Sequence, residues 1–261
     1  MFKIKKSRKF ANGIVYLLET DDGYPLEVTD TFLPYYTKFC INKHSNKLNK
    51  NDPGSRTERW MIGVSVMSGC PVHCKFCATG KLKKWRNLTA EEIAAQVEFI
   101  ISRNNYNPKN SKEFKINYTR MGEPFLNTEN VKKAIRLVNK LHTNVHHYIS
   151  TIGIKKSDMA WIKNNMTLQL SLHSTDEQRR KGLIPYTNKM SISELGQVRT
   201  KSALKTTLNL TLVDKKDFDI KILREYFDPE YFFIKLSPIN KNSISEKHKL
   251  GKGIIKQTNL L

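Results

Sequence analysis

The stretch Met61-Ile62-Gly63-Val64-Ser65-Val66-Met67-Ser68-Gly69-Cys70-Pro71-Val72-His73-Cys74-Lys75-Phe76-Cys77 decides how the chain is read. An apolar run rich in β-branched residues ends at a glycine, and three of the chain's four cysteines then follow, spaced C-x3-C-x2-C. Such a run is a strand candidate, and Thr89-Ala90-Glu91-Glu92 beyond the loop is a capping box that opens an amphipathic helix through Ile101. Three thiolates on one tight loop can hold an iron–sulfur cluster and leave one iron open, because full ligation by protein takes four cysteines. His73 offers the alternative of a Cys3His zinc site. Zinc motifs usually come as two separated pairs, so spacing favours the cluster without excluding zinc. A disulfide would leave one thiol of the three over, and intracellular chains rarely keep disulfides.

Outward from this stretch, strands alternate with helices. Strand candidates are 61–67, 114–119, 145–150, 167–172, 205–212 and 231–236. Helices are expected over 128–141, 155–164 and 217–227, with capping boxes at Thr175–Gln178 and Ser191–Glu194 opening two more. Six strand–helix repeats predict an α/β fold: a parallel sheet with helices outside, too few units for a closed eight-stranded barrel and so an open, curved partial barrel. Before it, Gly13–Leu18 and Tyr24–Val28 form a small β-hairpin around Asp21-Asp22-Gly23. The expected division is a hairpin and basic polar loop over 1–59, the partial barrel over 60–240 and a basic tail over 241–261. In such folds the chemistry gathers at the C-terminal ends of the strands. Arg120-Met121-Gly122-Glu123-Pro124, Ser150-Thr151, Leu172-His173-Ser174 and Pro238-Ile239-Asn240 all fall there, on the same rim as the cysteine loop.

Composition adds a partner class. Of 261 residues, 45 are Lys or Arg against 24 Asp or Glu, a net charge of +21 that favours polyanions such as nucleic acid. Lys81-Leu82-Lys83-Lys84-Trp85-Arg86 directly follows the cysteine loop, joining cations that hold phosphates to an indole that can stack on a base. No apolar stretch approaches the roughly 20 residues of a membrane span. No secretory h-region follows the basic start, and cysteines clustered in one loop suit a reducing cytoplasm.

With these residues in view, the chain resembles the radical S-adenosylmethionine (SAM) superfamily. The C-x3-C-x2-C loop with an aromatic before its last cysteine (Phe76) and Gly122-Glu123-Pro124 carry that likeness. Cys74-Lys75-Phe76-Cys77-Ala78-Thr79-Gly80, Arg86-Asn87-Leu88-Thr89, Met121–Asn127 and Ser171-Leu172-His173 narrow it to the RlmN/Cfr type, which methylates adenine in ribosomal and transfer RNA. The resemblance runs from about Val15 to Asn240. It implies a radical SAM partial (β/α)6 barrel with an N-terminal β-hairpin extension. Cys70, Cys74 and Cys77 would ligate a [4Fe-4S] cluster whose fourth iron takes S-adenosyl-L-methionine. Gly122 and Glu123 would meet the SAM amino group; Ser150, Ser171, Leu172, His173 and Asn240 would line its pocket. Glu27, on the hairpin, matches a carboxylate that acts as proton acceptor. The implied partners are RNA and an electron donor such as flavodoxin or ferredoxin, for a cytoplasmic monomer.

The departures are chemical. RNA-methylating members use two further cysteines, one near the C-terminus and one on the first barrel strand. No cysteine follows Cys77 here, and Gly63 stands at the strand position. Cys40 matches neither role, Arg120 stands where glycine is usual, and the family's N-terminal accessory domain has no counterpart. The expectations are therefore a radical SAM enzyme modifying an RNA adenine, a radical SAM enzyme of another reaction, a truncated or degenerate methyltransferase, or one completed by a partner. Outside enzymes, the rival is a nucleic-acid-binding protein with a Cys3His zinc site.

Overall fold

The computed structural model describes residues 2–35 and 52–250. Cys40 and part of the basic polar loop expected within 1–59 lie outside them, as does the tail beyond Leu250. Four antiparallel strands begin the sheet: β1 (Lys3–Phe10), β2 (Gly13–Glu19), β3 (Pro25–Leu33) and β4 (Arg59–Val64). A two-residue ribbon of β5 (Met67–Ser68) and β6 (Arg86–Asn87) brackets the cysteine loop. Next come helix α1 (Ala90–Asn104), β7 (Glu113–Tyr118), α2 (Thr128–Leu141), β8 (Val145–Thr151) and β9 (Met166–Ser171). The chain continues through α3 (Glu177–Leu183), α4 (Ile192–Gly196), β10 (Thr206–Thr211), α5 (Ile220–Tyr226), β11 (Phe232–Ser237) and α6 (Ser243–Lys247). The main sheet has nine strands in the order β1-β2-β3-β4-β7-β8-β9-β10-β11, and the six from β4 onward are parallel.

This is the α/β half-barrel that the repeats predict. On β7, Phe114, Ile116 and Tyr118 are buried while Lys115 and Asn117 face the other way. Helix α1 turns Ile93, Val97 and Ile100 inward, and α2 does the same with Val131, Ile135 and Val138, giving one continuous core. Truncating any of these to alanine typically costs about 2–5 kcal/mol. The other face of the sheet is polar and concave. Lys115 on β7 and the exposed Lys235 on β11, four strands apart, add positive charge to that face.

Three local expectations are corrected. No helix forms over 155–164. Ile154 instead bridges Lys189, Lys155 N–H donates to the Asn188 carbonyl (3.0 Å), and Lys156 takes a left-handed conformation (φ 63°), so the segment is spent on turns. The Thr175 capping box is not made, because Asp176 caps α3 and the Thr175 hydroxyl accepts from Asp219 N–H (2.8 Å). Third, Lys3–Phe10, expected only as a basic start, forms the exposed edge strand β1. The boxes at Thr89–Glu92 and Ser191–Glu194 both form.

Behind the sheet, His147 is fully buried between Tyr118 Oη (3.1 Å to Nδ1) and Asn139 Oδ1 (2.9 Å to Nε2), a neutral ring with one acceptor and one donor satisfied. Burial, and then neighbouring His146, push its pKa down to about 3. Below the ordinary histidine value of about 6.5 the unfolded chain takes up the proton first, so stability is full above that pH and falls as pH drops towards 3. This ring alone should remove about 2 kcal/mol between pH 7.5 and pH 5. His147→Gln is expected to abolish that share, seen as a flatter melting temperature against pH; an unchanged slope would refute the assignment.

Candidate active site

The cysteine loop leaves β5 at Gly69, whose φ of 74° and closeness to Lys84 O (2.5 Å from a Cβ placed there) admit only glycine. Beyond it the loop is tied at several points. Cys77 N–H donates to Cys74 O (3.1 Å), and Lys75 N–H donates to Leu183 O at the end of α3 (3.0 Å). The Phe76 ring packs edge-on against His173 (4.6 Å between centroids), and Asn242 Nδ2 donates to Phe76 O (2.9 Å). Cys70, Cys74 and Cys77 are free, half-buried thiols. Burial, with Glu123 and Cys77 adding charge, pushes Cys70 up to about 12; Cys74 is held well above the usual thiol range by burial and by Cys77 and Cys70. Such thiols ionise when a metal centre takes them as ligands.

His73 is exposed, with a left-handed backbone (φ 53°). Among the described residues, no three His, Cys, Asp or Glu side chains are gathered to hold a single metal ion. A multi-iron cluster differs in taking its thiolates on different irons. Three soft thiolates, with no fourth cysteine among the described residues, fit that demand.

The remaining rim residues come from successive strand ends. Gly122 (φ 101°) follows β7 with no room for a side chain against Met67. Glu123 is buried, with its carboxylate oxygens taken by the N–H groups of Phe125 (3.1 Å) and Ile152 (2.9 Å), and burial pushes it up to about 7. Ser150 and Ser171 face each other across β8 and β9 (3.5 Å between hydroxyls). Leu172 is core, so only its backbone can serve a pocket. His173, also left-handed (φ 59°), accepts from Thr211 N–H through Nδ1 (3.1 Å), and burial, then Arg180, push it down to about 3. Asn240 is exposed beyond β11, its carbonyl receiving Asn242 Nδ2 (3.0 Å). Glu27 on β3 is ion-paired with Arg120, whose Nε lies 2.8 Å from Glu27 Oε1.

Sequence reasoning missed two supports. Asn242 lies in the segment expected as a tail, yet it caps α6 while holding Phe76; the signal was there, as Asn242-x-x-Ser245 is a capping-box pattern. Arg180 is fully buried, donating to Ile152 O (2.7 Å) and Met190 O (2.6 Å). Nothing in Glu177–Leu183 marks its second arginine as internal.

The profile of the radical SAM superfamily matches residues 64–215, from the end of β4 past β10. The chain belongs to the radical SAM superfamily. A [4Fe-4S] cluster and SAM are accordingly its cofactors. Among relatives, the probable dual-specificity RNA methyltransferase RlmN of Dictyoglomus thermophilum is 30% identical over 246 residues, 92% of this chain and 62% of that protein. The dual-specificity RNA methyltransferase RlmN of Helicobacter hepaticus is 34% identical over 201 residues, 75% of this chain and 51% of the relative. This radical SAM chain thus spans half to two thirds of the length of these curated relatives. A radical SAM methyltransferase from Sphaerobacter thermophilus shares the fold, with a TM-score of 0.66 at 21% identity over 96% of this chain and 74% of that one.

Proposed function

We propose that this radical SAM enzyme modifies an adenine of RNA, with the three-thiol loop on the rim of the half-barrel as the observation that carries the reading. Cys70, Cys74 and Cys77 hold the cluster. When bound, it supplies the electron that cleaves SAM to a radical able to attack an unactivated C–H bond. The chain's own residues bind and orient. With the Glu123 carboxylate engaged by two backbone N–H groups, Gly122 and the Glu123 backbone meet the SAM amino group, and burial keeps water from that end. The Ser150 and Ser171 hydroxyls, the Leu172-His173 backbone and Asn240 complete the pocket.

RNA as substrate draws on the names of the relatives and on the surface beside the loop. Lys81, Lys83 and Lys84 are exposed, and Trp85 is 48% exposed while its backbone packs on Gly69. An indole left in solvent next to the cysteine loop is a stacking platform for a base splayed from its strand. Trp85→Ala is expected to weaken binding of a single-stranded adenine-containing RNA by roughly tenfold, within the 1–3 kcal/mol that one stacked base contributes, at an unchanged melting temperature. Equal affinity would remove Trp85 from the interface.

Whether the transferred group is methyl is a separate matter. Gly63 puts no thiol on β4, where the RNA-methylating members place the cysteine that helps release the product, which favours radical chemistry other than the family's methyl transfer. A cytoplasmic monomer reduced by a flavodoxin or ferredoxin completes the proposal; among the described residues no helix is long and apolar enough to cross a membrane. Mass spectrometry of RNA from cells with and without the protein tests the whole. One adenine that loses a modification identifies the substrate, and its mass names the group. RNA identical in both refutes the reading.

A further inference from the structure

Arg120 and Gly63 are one device. Arg120 leaves the C-terminal end of β7 on the concave face, and its stem lies over Gly63 on β4: a Cβ at residue 63 would stand 2.9 Å from Arg120 Cδ and 2.4 Å from Thr29 Oγ1. The missing side chain on β4 is thus what lets the arginine cross that strand and reach Glu27 on β3. The pairing there uses only one of the two carboxylate oxygens. Arg120 Nε and one terminal nitrogen both donate to the same oxygen, Glu27 Oε1, although guanidinium offers five N–H donors in a fork made for two oxygens. Arg120 is 30% exposed and Glu27 34%, so solvent reaches the pair. A half-exposed pair of this kind holds weakly, typically about 0–1 kcal/mol, whereas a phosphate can take the fork with two oxygens.

We propose that Arg120 is a phosphate clamp for the RNA strand, with Glu27 as the counter-ion it gives up when the phosphate arrives. The clamp rests on the reading of RNA as substrate. It gives Glu27 a positioning role in place of the proton-acceptor role expected from the sequence. In net terms one guanidinium–carboxylate contact is exchanged for a guanidinium–phosphate contact, and no proton moves.

The test measures binding of a single-stranded, adenine-containing RNA to the reconstituted enzyme over a range of salt concentrations. Arg120→Gln keeps the stem over Gly63 and removes the charge; it is expected to weaken binding about tenfold and to reduce the slope of log affinity against log salt by about 0.7. Glu27→Gln frees the arginine and is expected to tighten binding. Opposite signs for the two variants are the signature, since a merely structural pair loses in both directions. An unchanged salt slope in Arg120→Gln overturns the clamp, as does weaker binding in Glu27→Gln. Loss of SAM affinity in Arg120→Gln with RNA binding intact also overturns it, assigning the guanidinium to the SAM carboxylate. Wild-type enzyme that binds no RNA refutes the substrate reading itself and the clamp with it, a failure distinct from variants that bind as wild type does.

Discussion

Replacing Cys77 with alanine is expected to abolish iron–sulfur loading and SAM cleavage together. After anaerobic reconstitution the wild-type chain should absorb near 400 nm, a region typical of thiolate-bound iron–sulfur centres. It should carry iron and sulfide and release deoxyadenosine when reduced with SAM present. Cys77 is one of the three proposed ligands, so its loss leaves two thiolates for a cluster already one short of full protein ligation. The variant should sit at background in each measurement. Its fold should survive, because Cys77 is half-buried and fills no core position. Cys40→Ala is the matched control and should keep wild-type values. Equal loss in both variants would bring Cys40 into the chemistry, and stoichiometric zinc with no iron in the wild type would sink the enzyme reading.

The second large effect concerns Arg180, which touches no expected ligand. Its guanidinium is fully buried on α3 and donates to the carbonyls of Ile152 and Met190, while its Nε has no hydrogen-bond partner. Burial pushes it down to about 10, with Glu177 and Cys74 pulling the other way. Ile152 also donates its N–H to Glu123, so Arg180, Ile152 and Glu123 form one chain of contacts beneath the rim. Arg180→Ala strands the buried carbonyl of Ile152 and the part-buried one of Met190 and opens a cavity, at an expected cost of about 3–5 kcal/mol. Urea unfolding of the apoprotein reads this as a midpoint lower by roughly 1 M or more. A change below about 1 kcal/mol would show that water replaces the guanidinium and that the contact chain is not structural.

These two predictions also mark what the sequence can express. The cysteine loop was legible because cluster chemistry fixes ligand type and spacing within a few residues. The barrel strands were legible because burial on one face imposes alternation, as on Glu113–Tyr118 and Val145–Thr151. Strand β1 was not, since an exposed edge strand needs backbone pairing with β2 and no apolar stripe. The segment 155–164 reads as a helix locally, but its start is claimed by Asn188 and Lys189, neighbours that no local pattern reveals. Arg120 could be noticed as a departure, yet its partner Glu27 lies 93 positions away, and only the order β3-β4-β7 brings them together. Glu123 was expected towards SAM; that its side chain would be absorbed by Phe125 and Ile152 required the third dimension.

The bond from Asn242 to the Phe76 carbonyl closes over 166 positions of sequence. At a synthesis rate of about 5–20 residues per second, the thiols emerge roughly 8–30 s before the residue that fastens their loop. In that interval the nascent loop is an open tripod of soft donors, able to take a stray ion or be oxidised. The fastened loop, the form proposed to receive the cluster, is therefore a late product of folding, complete only once Asn242 has docked behind the last parallel strand.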